Sequence, residues 1–480
     1  MVEEARWRRL ETTCQDLGVT TGPAQDEVRR LLGLVEEVDP KIRSVNAVNV
    51  HALAEAETLD HEAAAGRRRS PLHGRAVLVK DNVDTAGLAS TAGSLALADE
   101  PPGQDAPLVG RLREAGMVVL GKTNLSEWAN IRDLHSTSGW SAQGGLTRNP
   151  YALNRTAWGS SSGSGAAVAA RLAPFAVGTE TNGSITAPAA ACGVVGLKPT
   201  VGLVPTEGVV PISWTQDSPG PMGLTVAYTA ALLDVLAGTS SADHLEADVR
   251  GRRIGVPRDQ WGFSASADAA SERALDLLSR AGVEIVDGLA LPALKDLEDE
   301  VGLTLLLVEL KVSLDRYLAA RGGQVRSLED VVAFNREHAD EELPWFGQEL
   351  LEKALTTEGV ASPAYLEAVD ACTAAGPAEL DRTLGEHYLD ALLAPAIAPA
   401  SPIDLVNGDS YTGGSSDSSA LAGAPILTVP VELAHGLPVA VSLWGARGSE
   451  TRLLQLGRAL EAGRDRSTGP LPEPTFPAWI

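Results

Sequence analysis

The chain shows the same local order of structure twice. In residues 107–120 a segment with apolar residues at helical spacing is followed by Gly116 and a short apolar run, and residues 271–286 repeat this order around Gly282. A glycine directly after the last helical residue is typical of a helix C-terminus, and a short apolar run is typical of a buried strand. Helices that alternate with buried strands predict an α/β architecture in which helices cover a sheet.

The rest of the chain divides into stretches of different character. Residues 1–70 are predicted to form a helical N-terminal segment, residues 300–385 are predicted to be mostly helical, and strands are predicted again from residue 389. Residues 407–419 are rich in Gly, Ser and Asp, so a plain flexible loop and a functional loop are both open interpretations. A length of 480 residues by itself favours two or three domains.

The charge balance limits the partners of this chain. It has 39 Lys and Arg against 63 Asp and Glu, which gives a formal net charge of −24. Nucleic acid and anionic membrane surfaces would repel such a field, so we expect neither as a partner. The N-terminus lacks the apolar stretch of a signal peptide, and no run of 18 apolar residues occurs.

Cysteine and histidine are scarce. The three cysteines and eight histidines include no pair at metal-ligand spacing and no CxxC sequence. We therefore expect no metal, no cofactor and no disulfide framework. A reduced, cytoplasmic location is the corresponding expectation.

Two clusters of small polar residues are candidates for chemistry. Residues 159–165 read GSSSGSG and precede an alanine-rich segment predicted to be helical from residue 166, so their N–H groups would gather at a helix N-terminus. Residues 178–185 follow a predicted strand, and Asn182-Gly183 favours a turn whose N–H groups can converge on one point beside Ser184. Such a point can stabilise an oxyanion. A linker and an ordinary tight turn are the alternative interpretations.

A serine nucleophile needs a base, and no histidine of this chain lies in a motif suited to that role. Lysine can act instead if burial holds it neutral. Lys80 follows the apolar run of residues 76–79, which is consistent with a buried amine. A solvated lysine at a strand end is the alternative.

Together these segments resemble the amidase signature family. The resemblance rests on the sequence Lys80-Asp81-Asn82, on residues 159–165 and on residues 178–200. Ser160 and Ser184 are 24 positions apart, as in that family.

The resemblance spans about residue 42 to about residue 460, and residues 123–129 and 334–350 are most similar to the bacterial peptide amidase branch. It implies a large mixed β-sheet covered by helices on both faces. It also implies a single domain over residues 1–480 instead of the two or three domains that the length favours. Within this domain, residues 71–250 would form the signature catalytic core. Residues 300–385 would form a helical elaboration that shapes the substrate pocket, and residues 386–480 would complete the sheet.

The resemblance also implies roles for individual residues. Ser184 would be the nucleophile, Lys80 would be the base, and Ser160, at the family's cis-peptide serine position, would bridge them. Ser161 and Thr179 would support these three by hydrogen bonds. The backbone N–H groups expected to form the oxyanion hole are those of Thr181, Asn182, Gly183 and Ser184.

Three positions depart from the family pattern, and one aromatic residue adds to it. Asn182 stands where relatives often have a second glycine, Glu180 replaces a common aspartate, and Thr186 stands where many relatives have arginine. Charge recognition inferred from such relatives therefore does not carry over. Trp158, directly before the serine loop, is the candidate for contact with the substrate pocket.

The predicted function is hydrolysis of a linear C–N amide bond through an acyl-enzyme, on the C-terminal amide of a peptide or another small amide. Aryl amides, carbamates and esters remain alternatives, since one nucleophile and one oxyanion hole serve all of them. An A-type component of a tRNA amidotransferase complex and a catalytically silent binding protein are further alternatives. The family chemistry implies activity that rises from neutral into alkaline pH, because Lys80 must be deprotonated.

Overall fold

The structure, a computed structural model of the chain, describes residues 23–99, 101–292 and 300–480. Within them, eleven strands form one large sheet, and two pairs of short strands lie outside it. The strands are β1 Val45–Val48, β2 Ala76–Lys80, β3 Val118–Thr123, β4 Trp140–Ser141, β5 Gly145–Leu146, β6 Arg148–Asn149, β7 Ala152–Thr156, β8 Phe175–Glu180, β9 Val195–Lys198, β10 Ser218–Gly223, β11 Arg253–Pro257, β12 Glu284–Leu289, β13 Ala391–Pro395, β14 Ile426–Ala434 and β15 Leu437–Trp444.

The large sheet is mixed, as predicted. Its strand order is β1-β3-β2-β8-β10-β9-β14-β15-β13-β11-β12. Strands β3, β2 and β8 run parallel, and so do β13, β11 and β12, whereas the other neighbours pair antiparallel. Because β2 and β8 are parallel, with Val79 opposite Val177, their carboxyl ends lie at the same edge. This edge carries Lys80 and the segment that follows β8.

Helices cover both faces of the sheet. Alternate residues of the strands pack into different cores. Leu78 and Ala176 pack with the helices of residues 24–42 and 162–169, whereas Val79 and Val177 pack with those of residues 107–114 and 226–237. Strands buried on both faces read as continuous apolar runs. The helices are α1 Ala24–Ile42, α2 Ala52–Ala64, α3 Pro107–Glu114, α4 Ser162–Ala169, α5 Thr186–Cys192, α6 Val226–Ala237, α7 Ala265–Arg280, α8 Glu300–Arg321, α9 Leu328–Glu337, α10 Ala339–Glu342, α11 Glu349–Leu355, α12 Pro363–Asp370, α13 Gly376–Glu386, α14 Asp417–Leu421 and α15 Glu450–Thr468.

The repeated order of helix, glycine and strand is present at both predicted places. Gly116 separates α3 from β3, and Gly282 separates α7 from β12. The φ angles of the two glycines are 76° and 92°. These left-handed conformations strain residues with a Cβ atom, which is why glycine ends a helix at such points.

The alanine-rich helix starts earlier than the sequence predicted. We expected it to begin at residue 166, after the glycine-serine run, but α4 begins at Ser162, inside that run. Gly163 shows why small residues are needed there. A Cβ atom at this position would lie 2.4 Å from the carbonyl oxygen of Ser44 and 2.5 Å from that of Asn124. The run is therefore a closely packed first helical turn and not a linker.

The remaining predictions of secondary structure have mixed outcomes. Residues 300–386 are helical apart from connecting loops. Ser327 caps α9, because its Oγ accepts a hydrogen bond of 3.1 Å from the Asp330 N–H. Residues 1–22 of the predicted N-terminal helical segment lie outside the described residues, and α1 and α2 account for most of the segment that follows. None of the helices in the described ranges is both long and apolar enough to cross a membrane.

Candidate active site

Lys80 is the last residue of β2, and its side chain is fully buried. Its Nζ atom lies 2.7 Å from Ser160 Oγ, 2.9 Å from Thr179 Oγ1 and 3.2 Å from the Thr179 carbonyl oxygen. The apolar residues of β2 carry the lysine into the sheet interior, and the parallel strand β8 carries Thr179 to the same edge. The structure therefore brings together three of the residues singled out in the sequence.

Burial controls the protonation of this lysine. It lowers the pKa of Lys80 to about 7, because the ammonium form is poorly solvated there, and the negative charges of Asp217 and Glu180 oppose the effect. The hydrogen-bond partners of Nζ are hydroxyl and carbonyl oxygens instead of carboxylates. Lys80 is thus partly neutral near pH 7, which a proton acceptor requires.

The serine loop is tied to the segment after β8 by Ser161. The Gly159–Ser160 peptide bond is cis. The Ser161 hydroxyl lies 3.1 Å from the Thr179 carbonyl oxygen, and it accepts a hydrogen bond of 3.2 Å from the Thr179 N–H. The Ser161 N–H donates to the Ser184 carbonyl oxygen at 3.0 Å. Ser161 therefore holds Ser160 and Ser184 on neighbouring loops.

Ser184 lies in the turn between β8 and α5, and its residue is 8% exposed. Gly183 in this turn has a φ of 79°, in line with the predicted Asn-Gly turn. Among the described residues, no group accepts a hydrogen bond from the N–H groups of residues 181–184, and none bonds the Ser184 hydroxyl. Four unpaired N–H groups in one turn are suited to hold a developing negative charge.

Two carboxylates hold this turn in place by accepting hydrogen bonds from it. Glu180 Oε2 accepts hydrogen bonds from the N–H groups of Ile185 and Thr186, at 2.7 and 2.9 Å. Asp217 accepts a hydrogen bond of 2.6 Å from the Thr181 hydroxyl, and burial raises the pKa of Asp217 to about 6. Asp217 lies directly before β10, and the pairing of β10 with β8 brings it to Thr181.

An open cavity of about 650 Å³ lies beside this turn. Gly159, Asn182 and Gly183 line it, next to Ser160 and Ser184, and Trp158 lines it as well. Residues 409–417 line a large part of the cavity, which favours the functional interpretation of the glycine-rich loop over the plain one. From the described helical residues 300–385, Leu350 alone reaches it. The expectation that these helices shape the pocket thus has one direct contact behind it and stays a prediction.

Sequence reasoning missed the contribution of residues 259–263 and of residues 130–138 to this cavity. Asp259, Trp261 and Phe263 lie in the first group, and Asp133 lies in the second. No sequence motif marks either segment. Both segments reach the cavity because β11 and the loop after β3 end close to it in the folded chain. Trp261, an aromatic residue shortly after the buried strand β11, was a usable signal.

One group of potential metal ligands occurs in the described part of the chain. Single oxygen or nitrogen atoms of Asp133, His135 and Glu349 lie within 4.8 Å of one another. The side chain of His135 is 74% exposed, and Asp133 is buried. Exposed acidic groups often cluster in this way without an ion. Nothing in the chemistry of Lys80, Ser160 and Ser184 calls for a metal.

Solved structures of peptide amidases are similar to this chain over nearly its whole length. The peptide amidase in complex with the competitive inhibitor chymostatin is 43% identical, with a TM-score of 0.90, and the match covers 97% of this chain and 98% of that one. The native peptide amidase from Stenotrophomonas maltophilia is 42% identical, with a TM-score of 0.87 and coverage of 96% and 97%.

A curated relative of a different kind matches to a similar extent. The A-type component of the glutamyl-tRNA(Gln) amidotransferase of Myxococcus xanthus is 36% identical over 93% of this chain and 96% of its own length. The family described as Amidase matches residues 26–454. The resemblance seen in the sequence is thereby confirmed, and so is the similarity to the peptide amidase branch. The chain belongs to the amidase family.

Proposed function

We propose that this chain hydrolyses the C–N bond of a peptide C-terminal amide or another small linear amide, with Ser184 as nucleophile, Ser160 as bridge and Lys80 as base. The observation that carries the proposal is the buried Lys80 Nζ, which lies 2.7 Å from Ser160 Oγ and has no carboxylate partner among the described residues. The similarity to peptide amidases over nearly the whole chain supports the choice of substrate class.

The acylation step follows from the protonation of Lys80. The neutral amine takes the Ser160 proton, while Ser160 takes the proton of Ser184, so the Ser184 oxygen can attack the amide carbonyl carbon. The N–H groups of residues 181–184 stabilise the oxyanion. The Lys80 ammonium then returns a proton through Ser160 to the amide nitrogen. The C–N bond breaks, ammonia or an amine leaves, and an acyl-enzyme on Ser184 remains.

Deacylation uses the same groups in the same order. Water replaces the amine, loses its proton through Ser160 to Lys80, and attacks the ester carbon. The tetrahedral intermediate collapses, Ser184 regains its proton, and the carboxylic acid leaves. Ser161 and Thr179 act by position, because their hydrogen bonds hold Ser160 and Lys80 in place. Each step conserves protons and needs no cofactor.

A screen of amides tests the proposal. Peptide amides, anilides, carbamates and esters are incubated with the wild type, with Ser184→Ala and with Ser271→Ala, and the products are identified by mass spectrometry. Ser271 is a buried serine of α7 whose hydroxyl bonds, among the described residues, only the Ala267 carbonyl oxygen, so its variant is the matched control. We expect turnover by the wild type and by Ser271→Ala and none by Ser184→Ala. Unchanged turnover by Ser184→Ala would overturn the assignment.

The second candidate function is that of the A-type component of an amidotransferase, which the 36% identity to such a protein favours. The same screen separates the two. An independent amidase hydrolyses peptide amides as a purified single chain. A chain that hydrolyses none of them alone, and turns over glutamine only in complex with partner proteins, would be the amidotransferase component.

The remaining expectations on organisation and location belong to the same proposal. We place the enzyme in the cytoplasm, acting as one domain on peptide or small-molecule amides, with neither nucleic acid nor membrane as a partner. The net charge of −24 and the scarcity of cysteine support this placement. Fractionation of the native host with an antibody against the chain tests it.

A further inference from the structure

The charged side chains that line the cavity beside Ser184 are all acidic. Four carboxylates line it, and no lysine or arginine of the described residues does; the four are Asp133, Asp259, Asp409 and Asp417. Arg258 is adjacent in sequence, but its guanidinium pairs with Asp287 and Glu272, each at 2.6 Å. The guanidinium carbon of Arg258 also lies 4.2 Å from the centroid of the Trp261 ring, whereas no described lysine or arginine lines the cavity itself.

Two of these carboxylates are held in place without a strong counter-charge. Asp133 is only 6% exposed. Its Oδ1 accepts a hydrogen bond of 2.7 Å from the His135 N–H and lies 3.8 Å from Nδ1 of the exposed His135 ring. No described residue bonds its Oδ2. Both oxygens of Asp409 accept from the Ser138 N–H, at 3.1 and 3.0 Å. Burial raises the pKa of Asp409 to about 6, so it is mostly ionised at pH 7. Asp259 keeps a buried oxygen without a partner among the described residues.

Aromatic rings share the same wall. Trp158, Trp261, Phe263 and Tyr411 all line the cavity. Trp158 and Tyr411 pack edge to face, with their ring centroids 6.1 Å apart. Ring faces attract ammonium groups, and the attraction grows when water is excluded. Carboxylates interleaved with aromatic rings, and no cation, are the chemistry that binds a protonated amine.

We propose that the acyl part of the preferred substrate carries a protonated amine, either a free α-amine or a basic side chain, which binds among Asp133, Asp409 and the aromatic rings. This inference rests on the proposed amidase function and narrows its substrate class. Substrates with an anionic acyl part are disfavoured by the same carboxylates, because like charges in a partly desolvated cavity repel each other.

A matched series of amides tests the inference at pH 7, where a free α-amine is still mostly protonated. N-acetyl-lysinamide carries a side-chain cation, N-acetyl-norleucinamide is its neutral counterpart, and N-acetyl-glutamic acid α-amide is anionic. Norleucinamide, with its free α-amine, distinguishes the second source of charge. We expect kcat/KM for at least one of the two cationic substrates to exceed the neutral value by roughly tenfold, and the anionic substrate to be the poorest. Raising the salt concentration should reduce this preference.

Single variants locate the effect. Asp409→Asn and Asp133→Asn should each reduce the ratio of kcat/KM for the cationic amide to that for the neutral amide by about threefold or more. Asp276→Asn, which removes an exposed carboxylate of α7 paired with Arg280, is the control and should change neither value.

The outcomes separate this inference from the proposed function. Hydrolysis of the neutral amide as fast as the cationic ones overturns the inference and leaves the amidase function standing. No hydrolysis of any amide overturns the proposed function itself. If an aspartate variant fails to fold, the kcat/KM values of the wild-type enzyme for the cationic, neutral and anionic amides still test the inference, because they need no variant.

Discussion

Lys80 and Lys122 lie on the neighbouring parallel strands β2 and β3, and both side chains are fully buried. Burial lowers the pKa of both, to about 7 for Lys80 and about 8 for Lys122. Their partners differ. Lys122 bonds the Val83 carbonyl oxygen and the Ser90 hydroxyl, and lies 3.7 Å from Asp81 Oδ1.

The comparison shows that burial alone does not make a lysine a base. Lys122 is enclosed by a carbonyl oxygen, hydroxyls and a carboxylate, so its ammonium form is satisfied and has no route to a reacting group. Lys80 has no carboxylate at ion-pair distance among its described partners, and its nearest hydroxyl belongs to Ser160, on the loop beside Ser184. We therefore assign a chemical role to Lys80 and a structural role to Lys122.

Replacing Lys80 gives the largest expected effect on activity. Lys80→Met should lower kcat by roughly 10³- to 10⁴-fold, because the proton acceptor is removed while a side chain of similar length fills the space. The variant should unfold at a urea concentration no lower than the wild type, since no buried carboxylate loses its direct ion-pair partner. Steady-state kinetics and urea titration measure the two effects. If Lys80→Met kept the wild-type kcat, the assignment of a chemical role to Lys80 and a structural role to Lys122 would be wrong.

Replacing Lys122 should show the opposite pattern. Lys122→Met leaves Asp81 buried without its cation, which costs about 3–5 kcal/mol of unfolding free energy, whereas kcat per folded molecule should change little. Equilibrium urea unfolding, with the active fraction titrated by an acylating inhibitor, measures both quantities. The double variant Lys122→Met/Asp81→Asn should recover part of the stability. A loss of kcat as large as that of Lys80→Met would contradict the structural role.

The pH dependence should report Lys80 and not Lys122. Below about pH 7 Lys80 is protonated and cannot accept a proton, so kcat/KM should fall as the pH is lowered and rise about tenfold from pH 6 to pH 8. The midpoint should be unchanged in Lys122→Met, because the pKa of Lys122 is not sampled by the reaction. A maximum at acidic pH, or a midpoint that moves with Lys122→Met, would contradict the assignment.

The hydroxyl of Thr179 should produce the smallest effect. It lies 2.9 Å from Lys80 Nζ, where it stabilises the ammonium form, and 3.0 Å from Asn82 Nδ2. Thr179→Val should lower the pKa of Lys80, shift the midpoint of the pH profile to lower pH by less than about one unit, and reduce kcat at pH 8 roughly threefold. Thr179→Ser keeps the hydroxyl and should restore both values. A midpoint that stays fixed in Thr179→Val would exclude this contact as a determinant.

The sequence predicted the elements that carry the site better than the shape of the pocket. Apolar runs and helix-ending glycines identified β2, β3 and α3, because local chemistry decides these elements. The start of α4 at Ser162 was missed, since the glycine-serine run is helical only against the backbone of Ser44 and Asn124. The pocket wall at Asp259 was missed because it comes from a separate part of the chain, and the loop that carries Asp409 was left open between a plain and a functional interpretation.

By itself, the sequence determined the α/β class, the family, and the positions of Lys80, Ser160 and Ser184 as candidates. These depend on residue type and spacing along the chain. Only the tertiary structure decided which buried lysine meets Ser160, on the loop beside Ser184, and which meets a carboxylate, and which side chains line the cavity. The pKa of a buried amine depends on the loss of water and on charges that segments far apart in the sequence bring within a few ångströms.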